Sequence, residues 1–116
     1  KLNKLCSKGR KELLLNKYTV TKATWNGMNS SAWKKDIMSV NGFDSRMQYG
    51  GEDREFGERL VNYKVKGLQI RYSAICLHLF HLRGYKNEAA IIANLNIRAQ
   101  TKKEKIIKTP FGISQL

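Results

Sequence analysis

The run from Gly50 to Glu55 has the residue types of a site that activates a hydroxyl group. Gly50 and Gly51 let the backbone turn tightly or approach a ligand, and they precede the carboxylates Glu52 and Asp53 at a predicted helix start. The helix dipole stabilises negative charge there, which favours an ionised Asp53. An ionised carboxylate beside a loop is what a general base requires. Acids in a first helical turn also start helices well, and Glu52 with Glu55 resembles a capping arrangement, so both interpretations stay open.

The two histidines, His78 and His81, form an H-x-x-H pair at the end of an apolar stretch. On a helix the two imidazoles would share a face and could bind one metal ion, whereas on a strand they would point to opposite sides. The pair supplies only two ligands, so a metal would also need a carboxylate, substrate phosphates or water. A buried or capping histidine without metal is the alternative.

Four aromatic side chains lie near predicted turns: Trp25, Trp33, Phe43 and Tyr49. Aromatic faces beside polar loops stack on sugar rings or bases, but single aromatic residues more often belong to the core. We assign Trp33 and Phe43 to the core. Tyr49, directly before Gly50, is the better candidate for a ligand contact.

The charge of the chain is strongly positive, with 22 Lys and Arg against 9 Asp and Glu in 116 residues, a formal net charge of +13. Basic residues concentrate in 1–22 and 102–108, whereas five of the nine acids lie between Asp44 and Glu58. This basic envelope around an acidic segment favours a polyanion: nucleic acid, anionic lipid head groups or a nucleotide diphosphate. Solvated lysines that keep the protein soluble explain the same excess, so the choice stays open.

Length and composition predict a single globular domain, with 41% hydrophobic and 27% charged residues. No apolar run approaches the roughly 18 residues of a membrane span. Cys6 and Cys76 exclude a disulfide framework and a four-cysteine zinc site, and they predict two reduced thiols in a cytoplasmic protein. The chain begins at Lys1 without a signal-peptide profile, which indicates a segment of a longer protein.

Hydrophobic periodicity predicts helices and strands in mixed order. In chain order these are a basic helix or linker over 1–19, a strand over 18–25, helices over 32–39 and 52–64, a strand over 68–73 and a helix over 87–109. The apolar stretch 74–80 either continues the second strand or turns into a neighbouring one. This order describes an α/β layer that lacks a complete sheet of its own.

Four ordered segments together resemble the C-terminal half of GT-A glycosyltransferases. They are NGMNSSAWKK (26–35), VNGFD (40–44), GGEDREF followed by Arg59-Leu60 (50–60), and HLFH (78–81). The similarity covers residues 20–90 and is to family 2 glycosyltransferases and the related C-terminal region of β-1,4-galactosyltransferases. It implies an α/β fold, the C-terminal portion of a GT-A nucleotide-diphospho-sugar transferase with few strands and flanking helices.

The resemblance also implies roles for individual residues. Asp53 falls on the family's base, which deprotonates the acceptor hydroxyl as it attacks the anomeric carbon of a nucleotide-sugar and inverts that centre. Glu52 would bind or orient the acceptor. Gly27 falls where the family's backbone approaches the donor, and Tyr49 with Gly50–Gly51 falls at the sugar contacts.

A divalent metal, manganese or magnesium, is the cofactor that the resemblance implies. In the galactosyltransferases a histidine followed by a Lys-Asn-Glu run is a manganese ligand, and His81 with Lys86-Asn87-Glu88 fits that spacing. His78 takes the position of a methionine ligand. The cation would neutralise the diphosphate leaving group.

The family's nucleotide-binding half with its Asp-x-Asp motif should precede this segment, and no Asp-x-Asp occurs here. We therefore expect residues 1–116 to be the acceptor-side part of a larger enzyme that is inactive alone. The implied partners are a nucleotide-sugar donor, a glycan or lipid-linked acceptor and the missing N-terminal half. An anionic membrane surface is a further candidate partner, and the expected location is cytoplasmic, with the inner face of the membrane left open.

A basic nucleic-acid-binding module without catalysis is the alternative function. It uses the net charge of +13 and the aromatic residues, but the sequence has no helix-turn-helix, zinc-finger or RNP signature. We therefore disfavour a nucleic-acid partner.

Overall fold

The structure is a computed structural model that describes residues 6–80 and 87–115. Within these residues it contains the α-helices α1 (Arg10–Tyr18), α2 (Lys34–Ser39), α3 (Glu52–Asn62) and α4 (Glu88–Glu104), and a 3-10 helix (Ile113–Gln115). The described residues divide into two compact units. The smaller unit comprises 6–23 with 67–80, and the larger unit comprises 24–66 with 87–115.

The predicted α/β fold with few strands is wrong, because residues 6–80 and 87–115 contain helices and no β-strand. A strand needs a neighbour whose backbone groups complete a ladder of hydrogen bonds. In the smaller unit, side chains bind where that ladder would form: Gln69 Nε2 donates to the Thr21 carbonyl oxygen at 3.0 Å, and Arg71 Nη1 donates to Thr21 Oγ1 at 3.0 Å. A turn also interrupts the predicted second strand, since Ala74 N donates to Ile70 O at 2.9 Å.

The side chain of Asn16 holds helix α1 to this turn. Asn16 Nδ2 donates to Ser73 Oγ at 2.7 Å, and Asn16 Oδ1 accepts from Tyr72 N at 2.9 Å. No residue of α1 is buried. Asn16 therefore ties the helix to this turn, and six of the nine residues of α1 are exposed.

The apolar core of the larger unit forms around α3. Val40, Phe56 and Leu60 are buried. Phe56 packs between two rings, with its centroid 4.8 Å from Trp25 in an edge arrangement and 4.5 Å from Phe43 in a stacked one. Phe43 is 47% exposed and covers this core from outside, so its assignment to the core is wrong, although its ring stacks on Phe56.

Trp33 does not belong to the core, so that prediction is wrong. Its side chain is 77% exposed, and it occupies the N-cap position of α2 without a side-chain capping bond. The short helix directs Ile37 toward the core instead. The predicted helix over 32–39 would include Trp33, whereas α2 begins at Lys34 and the Trp33 backbone is extended, so the helix does not direct this ring toward the core.

A buried ion pair joins α3 to its surroundings. Arg59 Nε donates to Glu55 Oε1 at 2.9 Å, and both residues are almost completely buried. The Arg59 guanidinium also donates to the carbonyl oxygens of Val40 and Gly42, the second at 2.7 Å, and Thr101 Oγ1 of α4 donates to Glu55 Oε1 at 2.9 Å. All these partners offset the cost of burying two charges.

The loop after α2 is tied to the C-terminal segment by Asn41 and Asp44. Asn41 Nδ2 donates to the Thr109 carbonyl oxygen at 2.8 Å, and Thr109 Oγ1 donates to Asp44 Oδ2 at 2.7 Å. Burial alone would raise the pKa of Asp44, but hydrogen bonds from Arg46 and Thr109 and the charge of Arg46 lower the pKa below its usual value. The same pairing raises the pKa of Arg46.

None of the helices among the described residues combines the length and apolar composition that a membrane crossing needs.

Candidate functional site

The loop that carries the double glycine is fixed by α4. The buried side chain of Asn94 donates from Nδ2 to the carbonyl oxygens of Gln48 at 2.8 Å and Gly50 at 3.1 Å. Gly50 lies so close to α4 that a Cβ there would be 2.9 Å from Ile91 Cγ1. A larger residue at position 50 would therefore displace the loop from the helix.

Gly51 ends this loop and begins α3. It is the N-cap residue and has a φ of 98°, in the left-handed region that glycine adopts without a Cβ penalty. The first turn of α3 follows directly with Glu52 and Asp53, where the helix dipole favours carboxylates. The double glycine thus delivers the two acids to a helix N-terminus, as the sequence predicts.

Asp53 is held by two backbone amides. Gly27 N donates to Asp53 Oδ2 at 3.1 Å, and Arg54 N donates to Asp53 Oδ1 at 2.7 Å. Gly27 also lies against the side chain, since a Cβ there would be 3.5 Å from Asp53 Cβ. The structure therefore brings together two predicted site residues that are 26 positions apart.

The turn that presents Gly27 is stabilised on both sides. Asn26 N donates to Ser30 Oγ at 2.8 Å, and Asn29 N donates to Asn26 O at 2.9 Å. Before the turn, Arg54 Nη1 donates to Thr24 Oγ1 at 2.6 Å. Segment 24–27 is thus fastened to the start of α3 at Thr24 and at Gly27.

Glu52 closes the glycine loop from within. Its Oε2 accepts from Gly50 N at 2.6 Å. The capping arrangement of Glu52 with Glu55 does not form, because Gly51 rather than Glu52 is the N-cap residue and Glu55 is paired with Arg59 in the interior. Glu52 and Asp53 are only partly buried.

Tyr49 is exposed on the same loop, one position before Gly50. This placement leaves its ring accessible next to the acidic helix start.

The acidic residues nearest the interior do not line a sugar site. Asp44 and Glu55 border a cavity of about 30 Å³, together with Thr101 and Thr109. A space of this size suits a water molecule and is too small for a sugar ring. Glu52 and Asp53, beside the glycine loop, are more exposed than Asp44 and Glu55.

The predicted metal pair is only partly described. His81 lies outside the described residues, and His78 is exposed in the smaller unit. Residues 6–80 and 87–115 gather no group of three or more histidine, cysteine or acidic side chains suited to a metal ion. The described part therefore does not supply a ligand set that fits a cation, and the metal stays a prediction.

Sequence reasoning missed three residues that position this site: Thr24, Arg54 and Asn94. Asn94 had a visible signal, since its amide lies one turn after Ile91 and one turn before Arg98 on the same face of α4. A polar residue on a buried helix face needs a partner, and here the partner is the glycine loop. Thr24 and Arg54 carry no such signal, because both are exposed.

Comparison with known proteins finds one family. A family model described as the N-terminal domain of galactosyltransferase matches residues 11–86, which include every predicted site residue from Gly27 to His81. That description names an N-terminal domain, whereas the motifs resemble a C-terminal region, so the place of this segment in a longer enzyme stays a prediction. No curated protein and no solved structure matches the chain.

Proposed function

Because the chain belongs to the galactosyltransferase family, we propose that it forms the acceptor-side part of an inverting glycosyltransferase. The enzyme would move a sugar from a nucleotide-diphosphate donor to a hydroxyl group of a glycan or lipid-linked acceptor. The family match supports the glycosyltransferase class, and the arrangement around Asp53 supports the assignment of the base.

Asp53 is the proposed general base. The observation that carries this assignment is a pair of hydrogen bonds from the backbone amides of Gly27 and Arg54, one to each carboxylate oxygen. Each oxygen keeps a second lone pair, so the carboxylate can accept a proton without giving up either bond. A base oriented before the acceptor arrives avoids part of the entropic cost of reaching the transition state.

The proposed reaction is a single displacement. The acceptor hydroxyl oxygen bonds to the anomeric carbon while its proton passes to Asp53. The bond from that carbon to the diphosphate oxygen breaks, and the nucleotide diphosphate leaves with the bonding electrons. Attack opposite the leaving group inverts the anomeric centre.

The substrate contacts are assigned to the loop around the base. Glu52 uses Oε2 to hold Gly50, so we assign its Oε1 to an acceptor hydroxyl. Tyr49 would stack on a sugar ring, and the backbone of Gly50–Gly51 and Gly27 would allow the substrates to approach closely.

Donor binding is assigned to a nucleotide-binding half outside these 116 residues. His81 and His78 would provide imidazole ligands to manganese or magnesium, with the remaining ligands from that half and from the donor phosphates. When bound, the cation neutralises the diphosphate. The proposal therefore predicts that the 116-residue chain alone transfers no sugar.

The test is Asp53→Asn in the full-length enzyme, with Asp36→Asn as the matched control. Asp36 also lies in the first turn of a helix, so both variants remove one helix-start charge. Loss of a general base predicts a fall in kcat of about 10²–10⁴-fold with a nearly unchanged acceptor KM. Nearly wild-type turnover of Asp53→Asn, with an unchanged fold, would exclude Asp53 as the base.

A further inference from the structure

The positive charge is concentrated in the smaller unit. Its described residues, 6–23 with 67–80, contain six Lys and Arg against one acid, Glu12. The described part of the larger unit contains twelve Lys and Arg against eight acids in more than twice as many residues. The smaller unit is therefore the part of the described chain with the denser positive charge.

Helix α1 of this unit also exposes apolar side chains. Leu13 is 68% exposed, Leu14 is 55% exposed and Tyr18 is 70% exposed. Burial in the unit's interior does not account for these side chains, because no residue of α1 is buried.

Basic and apolar side chains alternate over this exposed surface. We define the α1 face as Arg10, Lys11, Leu13, Leu14, Lys17 and Tyr18. At helical spacing, Arg10 and Lys17 lie one turn before and after Leu14, and Lys17 lies one turn after Leu13. The Lys17 ammonium is 5.6 Å from the centre of the Tyr18 ring.

We propose that the α1 face docks on the surface of an anionic phospholipid bilayer. Leucine and tyrosine side chains at this position enter the boundary between head groups and acyl chains, while lysine and arginine extend their charges toward lipid phosphates. Charge complementarity supports a lipid surface, and the exposed leucines favour lipid over nucleic acid, whose phosphates offer them no apolar partner. This inference is independent of the role of Asp53.

Co-sedimentation of the chain with vesicles tests the proposal. Phosphatidylcholine vesicles containing phosphatidylserine should bind the chain, and vesicles of phosphatidylcholine alone should bind it much more weakly. Added salt should weaken the binding, because the Debye length shortens.

Two double variants separate the electrostatic part from the apolar part. Lys11→Gln with Lys17→Gln should weaken binding to anionic vesicles about 25-fold, since each basic residue near the surface contributes about fivefold, or about 1 kcal/mol. Leu13→Ser with Leu14→Ser should weaken vesicle binding more than about tenfold. A loss of this size corresponds to withdrawing about two methylene groups from the lipid, at about 0.8 kcal/mol each. All four positions are exposed, so the variants should fold like the parent chain.

Matched controls lie in the larger unit. Lys103→Gln with Lys108→Gln removes the same charge from exposed positions. Ile92→Ser with Leu95→Ser removes two aliphatic side chains that are 61% and 52% exposed. Both controls should bind anionic vesicles within about twofold of the parent chain, because neither touches the α1 face.

Three outcomes would overturn the proposal: equal binding to neutral and anionic vesicles, equal losses in the α1 variants and their controls, or no vesicle binding by the parent chain. Filter binding to single-stranded RNA completes the comparison. Tight RNA binding with a steep salt slope, lost in Lys11→Gln with Lys17→Gln while vesicles are not bound, would assign this surface to nucleic acid instead.

Discussion

Replacing Asn94 with alanine should destabilise the larger unit and loosen the glycine loop. The variant removes the donor that bridges the carbonyl oxygens of Gln48 and Gly50 at 2.8 and 3.1 Å. Each hydrogen bond contributes a net of about 1 kcal/mol, so the two together predict a loss of about 2 kcal/mol in the free energy of unfolding. For a chain of this size, that corresponds to a fall in Tm of roughly 8 °C.

Asn96→Ala is the matched control for this measurement. Asn96 lies on the same helix and is exposed, so both variants gain the same helix propensity, and their difference isolates the buried contacts. The free energies of unfolding would be measured by urea denaturation followed by circular dichroism. Hydrogen exchange would add a local measurement, because the Gly50 amide bonded to Glu52 should exchange faster in Asn94→Ala.

The reasoning fails if Asn94→Ala and Asn96→Ala unfold with free energies within about 0.5 kcal/mol of each other. It also fails if exchange at Gly50 is unchanged while the stability falls, since Asn94 would then stabilise α4 without positioning the loop.

Three other substitutions test separate parts of the larger unit. Gly57→Ala should lower the free energy of unfolding by about 1–3 kcal/mol, because the new Cβ would overlap Trp25 Cβ; a variant as stable as the parent chain in thermal denaturation would contradict that packing. Asp44 has a lowered pKa in the folded state, so its stabilisation is present above the usual value of 3.8 and is lost as the pH falls through the lower folded value. The difference in unfolding free energy between the parent chain and Asp44→Asn should therefore shrink below about pH 4, and a constant difference in acid would refute this assignment. Thr24→Val removes the oxygen that accepts from Arg54 and should cost less than about 1 kcal/mol at this exposed position, with Thr24→Ser restoring parent stability; equal losses in both would attribute the effect to the threonine methyl group.

The two segments predicted as strands form no strand in the part of the chain that the structure describes. Alternating side chains at 18–25 and 68–73 are compatible with strands, yet these residues stay outside any ladder in the described part of the chain. Alternation reports which side chains share a face, but only a neighbouring backbone can complete the hydrogen bonds of a strand. At Thr21 the partners are the side chains of Gln69 and Arg71.

The helices were more predictable than the strands, because helical hydrogen bonds connect residues four apart. The acidic start of α3 at Glu52 and the long helix α4 both follow from local composition. The end of α4 at Glu104 came earlier than the sequence indicated, since Lys105 adopts the left-handed conformation there.

By itself, the sequence determined the local chemistry of this protein: a double glycine before two acids, a turn at Gly27, and a strongly basic chain with a recognisable family pattern. Only the tertiary structure decided that Gly27 binds Asp53 across 26 positions and that Asn94 binds Gly50 across 44. The physical reason is the distance along the chain over which each interaction acts. Turn, cap and helix preferences act between near neighbours, whereas these contacts require α3 and α4 to pack first and bring distant backbone groups within hydrogen-bonding distance.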